Sequence, residues 1–194
     1  MAFPFEPALT APLATRLRAL GQLAVRLWDQ TLQPVCLHCR IHPESNHGLC
    51  EQCLQLISFN TTCCEICARP LTQNLICGQC QKNPPSFDGV LTPLLYLDPV
   101  NRFLCGLKYC EQFAFARFAA GMMTDHALNT RQKAPDMICP VPMTSKALRK
   151  RGFNQSAFIG QLIAWQLGIP MSGKWILKTR ETAHQSDLKA TQRQ

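Results

Sequence analysis

The chain has 194 residues, 46% of them hydrophobic, and a formal net charge of +8, enough to bury one moderate core plus a small satellite domain. No apolar run approaches the roughly 20 residues that a bilayer-spanning helix needs. The N-terminus scatters Glu6, Arg16, Arg18 and Arg26 among its apolar residues instead of setting a basic start before a clean apolar stretch, so a cytoplasmic protein without transmembrane segment or export signal is expected.

Residues 1–32 read as a helical extension. Leu13, Leu17, Leu20, Ala24, Leu27 and Trp28 fall near one face at helical spacing, with arginines elsewhere. That pattern fits a helix packed on its own domain better than one lying on a partner or a membrane surface.

The stretch CLHCRIHPESNHGLCEQC, residues 36–53, holds two Cys-x-x-Cys pairs separated by ten residues, and CEICARPLTQNLICGQC, residues 64–80, repeats the layout with nine. Eight of the twelve cysteines sit in these pairs, and without an export signal such clustering favours metal coordination over disulfides. A Cys-x-x-Cys turn presents two thiolates on one knuckle, and two knuckles close a tetrahedral zinc site with no open position. Two structural Zn2+ ions are therefore expected within a domain spanning 33–86. Sequential ribbons would group Cys36, Cys39, Cys50 and Cys53, then Cys64, Cys67, Cys77 and Cys80, whereas a cross-brace would interleave the four pairs. His38, His42 and His47 lie inside the first set and could replace a thiol, but four cysteines suffice. Cys63 forms no such pair, and Cys105, Cys110 and Cys139 sit in apolar contexts that suggest buried, inert thiols.

The prolines of QKNPPSF end the cysteine-rich region, and a second domain, 87–194, begins with alternating strand and helix signals. FDGVLTPLLYL reads as a strand with an irregularity at Pro93. PVNRFLCGLKY and EQFAFARFAAGMMTDHAL read as helices, the second with an apolar stripe through Phe113, Phe118, Met122 and His126. DMICPVP is a short buried strand, NQSAFIGQLIAWQLG an amphipathic helix stopped by Gly168 and Pro170, and KWILK a further strand. Helices alternating with short strands imply a mostly parallel α/β sheet.

Charge is uneven along the chain. Residues 1–142 carry 11 Lys and Arg against 10 Asp and Glu, while residues 143–194 carry 9 against 2. The densest part places Lys146, Arg149, Lys150 and Arg151 between the strand end at Pro142 and the helix start near Asn154. Ligands of open α/β sheets bind at the carboxyl ends of strands, and helix N-termini there attract phosphate. Gly152, Asn154 and Gln155 suit close backbone approach, so an anion site is preferred to a merely solvated basic loop.

Taken together, these motifs resemble the ComF family, competence-related proteins that join a cysteine-rich zinc domain to a type I phosphoribosyltransferase-like domain. The resemblance rests on the two Cys-x-x-Cys sets, NPPSFDGV after them, LKY at 107–109, CPVPMTSKALRKRGFNQS at 139–156 and KTRETAHQSDL at 178–188. It implies that Val141, Pro142 and Thr144 belong to a pyrophosphate-side turn, and that Arg151, Asn154 and Gln155 share its anion-facing surface. It also implies that Arg180, Thr182 and Gln185 lie on a flexible loop folding over the ligand.

A phosphoribosyltransferase-like domain of this type goes on to adjacent acidic residues, which hold the ribose hydroxyls often with Mg2+, and to a phosphate-cradling turn. No two acidic residues are adjacent in this chain, so an incomplete sheet, C-terminally truncated, is expected, with Mg2+ implied only for a complete homologue. Two function classes follow. One is a binding protein of DNA uptake and natural transformation, contacting single-stranded DNA or phosphoribosyl diphosphate and working beside uptake or recombination proteins. The other is a phosphoribosyltransferase, expected to be inactive in these 194 residues.

Overall fold

The computed structural model describes residues 35–41, 47–73, 75–130 and 135–180. The helix expected over 13–28, His42 and the loop residues Thr182 and Gln185 lie outside them. Six helices occur among the described residues: α1 (Glu51–Leu54), α2 (Gly78–Lys82), α3 (Val100–Cys110), α4 (Ala114–Asn129), α5 (Ser145–Arg151) and α6 (Gln155–Leu167).

Helix α3 buries Val100, Phe103, Gly106 and Leu107, a spacing that lines up one stripe along a 3.6-residue turn. It stops where Glu111 adopts a left-handed conformation, φ 53°, and returns its amide to the Gly106 carbonyl. Helix α4 is buried over more of its circumference, through Phe115, Ala116, Phe118, Ala119, Ala120, Gly121 and Thr124, because it packs against both α3 and α6. The expected stripe is therefore displaced: Phe118 is fully buried, but Phe113 is 38% exposed, lying against the rings of Phe153 and Phe158. Thr124 Oγ1 and Gln166 Oε1, 2.6 Å apart, join α4 to α6.

One hydrophobic core runs from the first cysteine set into the helices. Cys36, Leu49, Cys50, Cys53 and Ile57 share it with Phe103, Leu107, Phe115 and Phe118. The second set forms a separate small cluster of Cys64, Cys77 and Cys80 with Ile66, Cys67 and Leu71 around it. His47 fastens the first set to α4. Its Nε2 lies 3.0 Å from Asp125 Oδ2, and its ring rests where Gly121 has no side chain, since a Cβ there would stand 2.6 Å from Nδ1.

The parallel sheet expected over 87–194 is not what the described residues form; they contain isolated bridges only. FDGVLTPLLYL does not open a parallel sheet. It turns back antiparallel onto the residues joining the two cysteine sets, with Asn60 N donating to Pro93 O and Leu95 N to Ser58 O, both at 2.9 Å. DMICPVP makes one parallel step, Ile138 with Met171, through Ile138 N to Pro170 O and Ser172 N to Ile138 O. The step does not propagate because Pro140, Pro142 and Pro170 have no amide to donate to a ladder. KWILK forms no β-bridge among the described residues and leaves Trp175 and Leu177 exposed. What survives of the strand–helix–strand reading is this bridge with α6 across it, approaching closely at Gly160, where an added Cβ would lie 3.4 Å from both Ile138 and Met171.

Candidate functional site

The eight paired cysteines gather in two tetrads, Cys36, Cys39, Cys50, Cys53 and Cys64, Cys67, Cys77, Cys80, with the sulfurs of each within 4.8 Å of one another. The grouping is sequential, not interleaved. The two tetrads are built alike. Arg40 and Ala68, each following the second cysteine, adopt left-handed backbone at φ 61° and 56°, and their amides return to the carbonyls of Cys36 and Cys64 at 2.9 Å. The later pairs straddle helix starts: Cys50 caps α1 and Cys77 caps α2 in extended conformation, which places Cys53 and Cys80 within the first turn.

This geometry fits zinc. Two thiolate sulfurs about 2.3 Å from a tetrahedral ion stand about 3.8 Å apart, and the Cys39–Cys50 and Cys67–Cys77 sulfurs are both 3.7 Å apart. Backbone amides also donate to the ligand sulfurs, Cys50 N to Cys36 Sγ at 3.4 Å and Cys77 N to Cys64 Sγ at 3.3 Å. Burial tends to raise the Cys36 thiol, but amide hydrogen bonds from Cys50, Cys39 and His38 outweigh it and lower the group to about 6. The Cys67 and Cys77 amides likewise lower Cys64 to about 6. Burial, reinforced by neighbouring thiols, pushes Cys53 and Cys80 up to about 12. Amide hydrogen bonds thus favour the thiolate form of Cys36 in the first tetrad and of Cys64 and Cys77 in the second. Four cysteine ligands leave no coordination position for substrate, so the chemistry is structural. His38 packs edge-on against Phe103 and His47 pairs with Asp125, so both described histidines of the first set have other employment. Cys105, Cys110 and Cys139, expected to be buried, are exposed: Cys105 lies off the Phe103–Leu107 stripe of α3, Cys110 is the last residue of that helix, and Cys139 lies outside any helix.

In the basic segment, helix caps and a side-chain tether organise residues expected to face an anion. Thr144 caps α5, its Oγ1 accepting from Ala147 N at 3.2 Å, and Gly152 ends that helix at φ 85°. Asn154 caps α6. Its Oδ1 accepts from the amides of Ser156 and Ala157, and its Nδ2 donates to Val141 O at 3.0 Å. Asn154 therefore holds the Val141–Pro142 turn to α6. Arg151 Nη1 donates to Gln155 Oε1 at 2.8 Å, and its guanidinium lies 5.9 Å from the Tyr109 ring centre. Lys146, Arg149 and Lys150 are exposed on α5, which buries none of its residues. Arg180 is exposed further along. Positive charge in the last turn of α5 also suits the carbonyl end of the helix dipole.

One organising residue has no motif around it. Asn60 is 4% exposed, and its Nδ2 donates to Ala68 O in the second knuckle at 2.9 Å and to Thr92 O at 3.2 Å.

The double zinc ribbon domain family matches residues 27–81. Over 166 residues the chain is 29% identical to DNA utilization protein YhgH of Salmonella typhimurium, covering 82% of this chain and 73% of that protein. The same protein of Escherichia coli K12 is 28% identical over the same coverage. Competence protein F of Haemophilus influenzae is 29% identical over 164 residues, 81% of this chain and 71% of that protein. No solved structure matches. These relatives and the ribbon domain bear out the resemblance drawn from the motifs.

Proposed function

As a relative of competence protein F that carries a double zinc ribbon, this chain, we propose, serves in DNA uptake and use by holding single-stranded DNA through its basic segment. The observation that carries the reading is α5, a helix with no buried residue that exposes Lys146, Arg149 and Lys150 to solvent. Exposed cations that neutralise phosphates release the counterions condensed on them, which favours binding. We divide the chain into residues 33–86, whose zinc ions are structural, and residues 87–194, which carry the anion site. The first ribbon supports that site indirectly, because its cysteines share a core with the helices on which Phe153 and Ile159 pack.

The test is a salt titration of oligonucleotide binding. Arg149→Ala with Lys150→Ala should weaken single-strand binding alike across sequences and flatten the dependence of log K on log salt by about 0.7 per lost contact. An unchanged slope would remove the cluster from the interface. A second reading, ribose-phosphate binding at the Val141–Thr144 turn, draws on the Asn154 tether that holds this turn in place. It would appear in the same titration as competition by pyrophosphate at concentrations too low to act as ordinary salt.

A further inference from the structure

A groove of about 430 Å3 lies between α5 and the segment 173–179. Ser145 and Leu148 line it from the helix, Ile176 and Leu177 from the segment, and Pro140 and Met171 close it between them. The stretch from Met137 to Arg180 that contains both banks has seven Lys and Arg and no Asp or Glu. Of the cations Lys178 alone lines the groove; Lys146, Arg149 and Lys150 are exposed elsewhere on α5, and Lys174 and Arg180 are exposed at either end of the segment. Trp175, the chain neighbour of the lining residue Ile176, is 73% exposed, and Leu177 is 75% exposed.

We propose that this groove is a channel for single-stranded nucleic acid, in which the cations in and around it track the phosphates while Trp175 stacks on bases. The proposal rests on the backbone-binding reading above and adds to it the recognition of unpaired bases. A purely electrostatic surface needs no indole in water, whereas a basic groove edged by exposed aromatic and apolar groups is the combination that single strands use. Bases within a duplex are already stacked on each other and cannot reach Trp175, so the same groove discriminates against double strands. Every base has a π-face, so no sequence preference is expected.

The experiment compares two labelled oligonucleotides of equal length, an oligothymidylate and an abasic strand, bound by the zinc-loaded full chain and followed by fluorescence anisotropy. The wild-type chain should prefer the base-bearing strand by about tenfold, the scale of one stacked base. Trp175→Ala should abolish the preference, leaving the abasic strand bound as before, and Trp175→Phe should restore most of it. Equal wild-type affinity for both strands, or an undiminished preference in Trp175→Ala, would overturn the stacking channel while leaving backbone binding in place. Failure of the wild-type chain to bind either strand would sink both. If Trp175→Ala keeps the preference but changes the sedimentation of the free protein, the exposed strip belongs to a protein interface instead.

Discussion

Removing one zinc ligand should have opposite consequences in the two ribbons. Cys53 belongs to the buried cluster that also contains Phe103, Leu107, Phe115 and Phe118, whereas Cys80 packs only within the small cluster of the second ribbon. Structural zinc contributes about 10 kcal/mol or more of apparent folding free energy, against a total of about 5–15 kcal/mol for a typical domain. Loss of the first metal therefore removes an amount comparable with the whole stability, from a core in which Leu49, Leu107 and Phe118 are all 0% exposed. Cys53→Ser should collapse α3, α4 and α6 and lose most of the far-ultraviolet circular dichroism of the helices. Cys80→Ser should release its own zinc and keep that signal. Elemental analysis must show one ion lost in each variant, so that the two differ in location and not in metal count. Equal helical loss in the two variants, or a Cys53→Ser chain that melts like the wild type, would refute the shared-core argument.

Gly121→Ala should destabilise the chain by about 1–3 kcal/mol, since its methyl meets the His47 ring and disturbs the pairing with Asp125. In a His47→Ala background the same change should be neutral or stabilising by the helix preference for alanine, and a double-mutant cycle in urea checks this. Asn60→Leu leaves the carbonyls of Ala68 and Thr92 without their donor, which should cost about 1–3 kcal/mol, read as an earlier urea midpoint at constant slope. In the metal-free tetrads Cys36 and Cys64 are lowered to about 6. A lowered acid stabilises the fold above its ordinary range and loses that contribution as pH falls through the folded value. Protons compete with zinc for the ligand sulfurs, so zinc release should stay small at neutral pH and increase as the solution is made acidic, monitored with a chromogenic chelator. Release centred well above neutrality would contradict the amide-stabilised thiolates.

The tetrads were legible in the sequence because a Cys-x-x-Cys knuckle is local. Its backbone turn sets both sulfurs whatever the rest of the chain does, and the 36–53 and 64–80 repeats declare two sites. Their pairing was not legible, since either grouping satisfies the same spacing, and only the fold brought Cys50 and Cys53 to Cys36 and Cys39. Helices α3, α4 and α6 followed from periodicity, but the buried side of α4 did not, because it faces two neighbours at once. Strands failed most, since a strand exists only through its partner. Pro93 and Leu94 found theirs at Ser58–Asn60 in the ribbon junction, and the prolines around Ile138 and Met171 halted the parallel pair after one step. In the basic segment the sequence locates the charge, while the fold adds Asn154 as cap and tether and Gln155 as partner to Arg151. The Asn154 cap is a local signal that its position before an apolar helix could have disclosed. The contacts of Asn60 and the His47–Asp125 pair join residues far apart in the chain. No local pattern encodes such contacts, so the tertiary structure alone decided them.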